Sequence, residues 1–143
     1  MLRSVLTGGV LVILFCGCGS DGKVAAVSGI VTLNGKPTAD IAVTFQPIAP
    51  EGQNVVGLSA SGVTGSDGRY TLKLHGTQTK GATVGKNQVR ITGHVEFKDM
   101  SEEALNKAKP KVNIPTRYWN DPKLEINVPP SGTSSADFQL TSP

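Results

Sequence analysis

Apolar and polar residues alternate along this chain with a period of two, in short runs separated by turn residues. Val27, Gly29, Val31 and Leu33 share one side of the first run, and Asn34-Gly35-Lys36-Pro37 turns the chain. Ile41, Val43 and Phe45 follow, ending near Pro47 and Pro50. Val56, Leu58 and Ala60 make a weaker third run. Tyr70, Leu72 and Leu74 make a fourth, after the tight turn Gly65-Ser66-Asp67-Gly68. A polar loop from Gly76 to Gly85 leads to Val89, Ile91, Val95 and Phe97, with an interruption expected at Gly93. Leu124, Ile126 and Val128, then Ala136, Phe138 and Leu140, complete the set. In extended chain, successive side chains point to opposite faces, so each run predicts a strand with one buried face. Together they predict an all-β, seven-stranded sandwich.

Two stretches break the period. Residues 99–108 carry acids first, lysine late and Pro110 beyond. That order predicts a helix of about two turns, capped by Asp99 or Ser101 and lying over an edge or end of the sandwich. At the other extreme, Arg3 precedes an 11-residue, mostly apolar run from Val5 to Phe15. Such a run suits the core of a signal peptide but is shorter than the roughly 20 residues that span a bilayer.

Small residues and two cysteines follow at once, as Cys16-Gly17-Cys18-Gly19-Ser20. Phe15-Cys16-Gly17-Cys18 resembles the lipobox of bacterial lipoproteins, with Phe15 in the place of the usual Leu. Cys16 fits less well as the acceptor, because bulky Phe15 would then precede the cut. The resemblance implies a lipoprotein signal peptide over 1–17, cleavage before Cys18, a diacylglycerol thioether on Cys18, and fatty acid such as palmitate on the new amine. Two or more acyl chains anchor stably where one does not. The remaining alternatives are an ordinary secretory signal that leaves a free Cys18, and an uncleaved membrane helix.

Composition narrows the picture. The 143 residues suffice for one domain, with 17 Gly, 9 Pro and only 17% charged residues, a balance that suits strands and turns. Removing the leader leaves 18–24 as a lipidated tether and 25–141 as the domain. No thiol remains beyond Cys18, so the body has neither a disulfide nor a cysteine metal site. The net charge of +3 is spread along the chain, with only Lys107, Lys109 and Lys111 close together. A nucleic-acid partner needs a basic stripe, and none is predicted.

The body also resembles a family. Val27-Ser28-Gly29-Ile30-Val31-Thr32-Leu33-Asn34-Gly35-Lys36-Pro37, followed by Val43-Thr44-Phe45, looks like the opening of carboxypeptidase regulatory-like domains. Thr64 to Leu72 is similar to their "T-D-x-x-G-x-Y" segment, with Gly65 where Asp is usual. Gly85-Lys86-Asn87-Gln88-Val89-Arg90-Ile91 is similar to their "G-x-Y-x-V-x-V" strand, with Asn87 in the place of the aromatic. Ile114 to Tyr118 and Ala136 to Leu140 resemble small bacterial lipoproteins that carry this domain. The resemblance covers about Val27 to Leu140 and implies a transthyretin-like (prealbumin-like) fold of seven strands in a generally non-catalytic module.

Candidate chemistry is sparse. His75 and His94 both fall on the polar phase of their strands, as solvated residues do. His94-Val95-Glu96 lacks the cysteine pair of zinc deaminases. No His-x-x-Glu or His-Glu-x-x-His motif, Gly-x-Ser-x-Gly elbow or phosphate loop occurs. The chain ends Leu140-Thr141-Ser142-Pro143, unlike the Tyr-Arg-Gly-Ser ending of the transthyretin-like hydrolases. Asp67 beside Gly68 suits a hairpin turn better than a calcium loop. No catalytic, metal or cofactor site is expected. Tyr118-Trp119-Asn120-Asp121 holds the single Trp in a polar loop, where its ring either stacks on a sugar or packs inward. The sequence therefore predicts a non-enzymatic module at the cell envelope. It is held to a membrane by lipid on Cys18, and its partner is an unidentified envelope protein or glycan. The alternative is a carbohydrate- or envelope-polymer-binding module using Tyr118 and Trp119.

Overall fold

The computed structural model describes residues 22–54 and 57–143. Cys18, the expected leader and Val56 lie outside them. The described chain is mostly β-sheet with one short helix. Its strands in order are β1 (Val24–Ala25), β2 (Ser28–Leu33), β3 (Lys36–Pro37), β4 (Ile41–Pro47), β5 (Ala60–Val63) and β6 (Arg69–Thr71). They continue with β7 (Lys73–Leu74), β8 (Ala82–Thr83), β9 (Gly85–Gly93), β10 (Glu125–Val128) and β11 (Phe138–Leu140).

One sheet has the order β10-β9-β4-β5-β7, antiparallel throughout. The other centres on β2. β11 runs parallel along one edge of β2, while β6 covers the first half of the other edge and β3 the second. β1 and β8 pair at one end. On the long strands β4 and β9, buried and open positions alternate as the period of two requires. Ile41, Val43, Phe45, Val89 and Ile91 are fully buried and join Val31, Leu72 and Leu140 of the opposing elements in one core. Phe45 meets Phe138 edge to face, with centroids 6.3 Å apart.

The fourth apolar run serves both sheets. Its strand divides at Leu72, so that Tyr70 lies on β6 beside β2 while Leu74 lies on β7 beside β5. At the crossing, the Leu72 amide donates to Val27 O at 3.0 Å and its carbonyl accepts from Gly81 N at 2.7 Å. Buried Thr64 makes a second tie. Its Oγ1 accepts from Ile41 N at 3.0 Å and donates to Thr38 O at 2.7 Å.

Several predicted boundaries shift. The third strand starts at Ala60 and continues to Val63, and Leu58 stands exposed before it. The fifth ends at Gly93 rather than reaching Phe97, which is 64% exposed. Its partner β4 begins opposite, at Ile41, and among the described residues no strand pairs with Val95 or Phe97. The helix (α1, Glu102–Lys107) has about the expected length, with Ser101 rather than Asp99 as its cap. Its Oγ accepts from Ala104 N at 3.4 Å, and Glu102 and Glu103 occupy the first turn. The expected loop from Gly76 to Gly85 contains β8, whose small Ala82 and Thr83 are buried.

The fold has two distinct ends. β4 runs from Ile41, opposite Gly93, to Pro47, opposite Asn87, a span of about 20 Å. At the Pro47 end, Gly22 joins Pro47, Ile48, Pro50 and Val84 around a hollow of about 400 Å³. At the Ile41 end the chain leaves β9, passes through α1, and returns with Pro110 and Val112 pressed against Gly93.

Candidate functional site

Buried Ile114 anchors the segment that carries the two aromatic candidates. Residues Thr116–Tyr118 then form a single 3₁₀ turn. The turn aims Arg117 and Tyr118 at the end of the last strand. Arg117 Nη2 donates to the Thr141 carbonyl and to Thr141 Oγ1, the latter at 2.8 Å. Tyr118 Oη accepts from Thr141 N at 3.1 Å and lies 3.4 Å from Thr141 Oγ1. The Arg117 guanidinium sits 5.1 Å from the centroid of the Tyr118 ring. Hydrogen bonds from the Thr141 hydroxyl and amide, with a smaller contribution from Arg117, hold the Tyr118 phenol below its ordinary range.

Tyr118 is therefore engaged as a clamp on Thr141, and its ring packs against the core. Trp119 differs. Its Nε1 donates to Ile114 O at 3.0 Å, which fixes the indole, yet the residue stays 42% exposed. The structure thus places both predicted residues on one turn, with Tyr118 partly buried and Trp119 the more exposed of the two.

His75 is exposed, as its phase predicts, but its ring is held. Nδ1 lies 3.0 Å from Ser59 Oγ and Nε2 2.8 Å from Ser61 Oγ. Serine hydroxyls donate or accept equally well, so either imidazole tautomer satisfies both contacts. These are nucleophile-to-base distances. The group nevertheless lies on the open outer face of the larger sheet, and pairing engages the neighbouring β5 and β7 backbone. The arrangement orients the ring across β5.

His94 follows β9 at the rim of a shallow cleft of about 560 Å³, shared with Glu96, Met100 and Lys109. Lys111 reaches Asp40 at 3.6 Å and Glu96 at 4.0 Å there. Asp67 Oδ1 accepts from Arg69 N at 3.1 Å, the role of a turn residue. Among the described residues, no three His, Cys, Asp or Glu side chains are placed to hold a metal ion. No described helix is long and apolar enough to cross a membrane.

Sequence reasoning missed the Thr141 clamp and the serine pair that holds His75. Ser59, Ser61 and His75 all occupy outward phases of their strands, but only the β5–β7 register brings them together. No protein-family profile, curated protein or solved structure matches the chain.

Proposed function

We propose that this protein is a lipid-anchored, non-catalytic module of the bacterial cell envelope. In this reading, 1–17 is the signal peptide, Cys18 carries the lipid, and the remainder is a seven-stranded carboxypeptidase regulatory-like (prealbumin-like) sandwich. The observation that carries it is the order Arg3, apolar Val5 to Phe15, Gly17, Cys18, followed almost at once by folded chain at Val24. A body that starts directly after the cysteine needs only a short tether. The seven apolar runs support the fold assignment, each contributing at least one strand to the two sheets. Mass spectrometry of the mature amino terminus tests it: an acylated Cys18 is expected, and Cys18→Ala should release the protein from membranes. An unmodified terminus elsewhere overturns the anchor.

A second reading rests on Trp119. A half-exposed indole, fixed by its hydrogen bond to Ile114, suits stacking on a sugar ring of an envelope polymer. Polysaccharide pull-down that is lost in Trp119→Ala supports this reading; unchanged retention removes it.

A further inference from the structure

The chain enters the fold at an end that carries exposed apolar side chains. Gly22 lines the hollow with Pro47, Ile48, Pro50 and Val84. The Val84 amide donates to Lys23 O at 2.7 Å, and Val24 pairs with Thr83. Thr83 Oγ1 in turn donates to Leu58 O at 3.0 Å. Leu58 lies two residues before Ala60, the partner of Phe45, which sets it level with Pro47. Leu58 is 50% exposed and Val24 39%, while Ile48 and Val84 are half-buried. Aliphatic side chains that gather around one hollow form a patch, unlike apolar residues scattered singly over a surface.

The anchor reading, on which this inference rests, puts lipid on Cys18, four residues before Gly22. Four residues span at most about 14 Å, less than the ~20 Å length of β4. The Ile41 end therefore cannot turn to the bilayer while Cys18 stays on it, although Phe97 is exposed there. The domain stands on its Pro47 end or lies on a side. Its sides are polar, with exposed Lys73 and Arg90 on the larger sheet and Arg69 and Thr71 on the other. Such groups gain nothing by leaving water. Charge does not decide the pose. Exposed Lys23 favours anionic headgroups, exposed Glu51 opposes them, and Lys86 is bound to Glu125 at 2.8 Å.

We propose that the Pro47 end of the sandwich seats directly on the bilayer, with Val24, Ile48 and Leu58 in its interfacial layer. The lipid then fixes an orientation as well as a location, and the Ile41 end with α1 faces away from the membrane. Burial of apolar surface drives the seating, so it needs neither anionic lipid nor low salt.

The test uses the full-length, lipidated protein in vesicles of phosphatidylcholine that carry a nitroxide on the upper acyl chain. In a Trp119→Phe background, Leu58→Trp or Phe97→Trp supplies the one indole. Both sites are exposed, so neither change disturbs the core. The ring at 58 should enter the interfacial layer and lose about twofold in emission, whereas the ring at 97 should keep its intensity. High salt should change neither result. Mass spectrometry of the same sample separates the two readings. Acylated Cys18 with no quenching at 58 overturns the seating alone, whereas unmodified Cys18 overturns the anchor and the seating with it. Quenching at 97 as strong as at 58, or quenching at 58 that salt abolishes, also overturns the seating.

Discussion

Tyr70 donates its phenolic hydrogen to the carbonyl oxygen of Ala136 at 2.5 Å, reaching across β2. The residue it crosses is Gly29, its direct partner in the β2–β6 pair. A Cβ on Gly29 would stand 2.0 Å from that same carbonyl oxygen. The absent side chain at one position and the long one at the other thus form a single device. It ties β6 to the approach of β11, 66 residues away.

Tyr70→Phe keeps the ring and leaves the buried Ala136 carbonyl without this donor. A loss of about 1–3 kcal/mol is expected, read as a lower urea midpoint with unchanged slope. Burial, with Asp137 adding to it, pushes the Tyr70 phenol well above its ordinary value of 10.0. Because the folded state favours the neutral phenol, its contribution is complete below that value and declines as pH rises above it. The native protein should lose stability in alkali, and Tyr70→Phe should lose less over the same range. An identical alkaline decline in both would refute the assignment.

Gly29→Ala should cost about 3 kcal/mol or more, or abolish folding, because the new Cβ meets backbone that cannot yield. Gly35→Ala provides the contrast. Gly35 has φ of +80° in the Asn34-Gly35 turn, with no described residue within 4 Å of a Cβ, so its cost is conformational and about 1 kcal/mol. Equal urea midpoints for the two variants would contradict the steric account.

Asn87 is a buried amide on a core-facing position of β9. Its Nδ2 donates to Thr83 O at 2.8 Å and Gly85 O at 2.9 Å, while its Oδ1 has no partner among the described residues. Asn87→Asp sets a buried carboxylate against two carbonyl oxygens and should cost about 3 kcal/mol at neutral pH. The folded state would favour the protonated acid, so the deficit should shrink as pH falls through the raised carboxyl range. A deficit independent of pH would show that the two carbonyls do not face the new oxygen.

Arg117 and Tyr118 hold Thr141 without burying it. Arg117→Ala combined with Tyr118→Phe should cost only about 1 kcal/mol globally, as exposed contacts do. It should nevertheless speed amide exchange at Thr141, whose N–H donates to the Tyr118 oxygen. Protection at β4 and β9 should be unaffected. Unchanged exchange at Thr141 would dissolve the clamp.

The runs around Val31, Val43, Tyr70, Val89 and Phe138 were legible because alternation is a local property of extended chain. A cap at Asp99 or Ser101 was legible because capping is local too, and the structure uses Ser101. Ala82 and Thr83 were not, since small residues leave no hydropathic signal. Phe97 looked like strand because its phase is right, but pairing had already ended opposite Ile41. At the candidate sites, Trp119 stood out as the only Trp in the chain. The Thr141 clamp and the serine pair around His75 did not stand out, because each joins residues that meet only through folding.

By itself, then, the sequence determined the all-β character and most of the inward-facing side chains. Each follows from residues within a few positions of one another. The tertiary structure alone decided that Leu72 would pass the chain between sheets and that Tyr70 would cross Gly29 to Ala136. It also decided that Ser59, Ser61 and His75 would meet on one face. Strand register pairs residues far apart in sequence, and it is selected by how all the buried faces pack together.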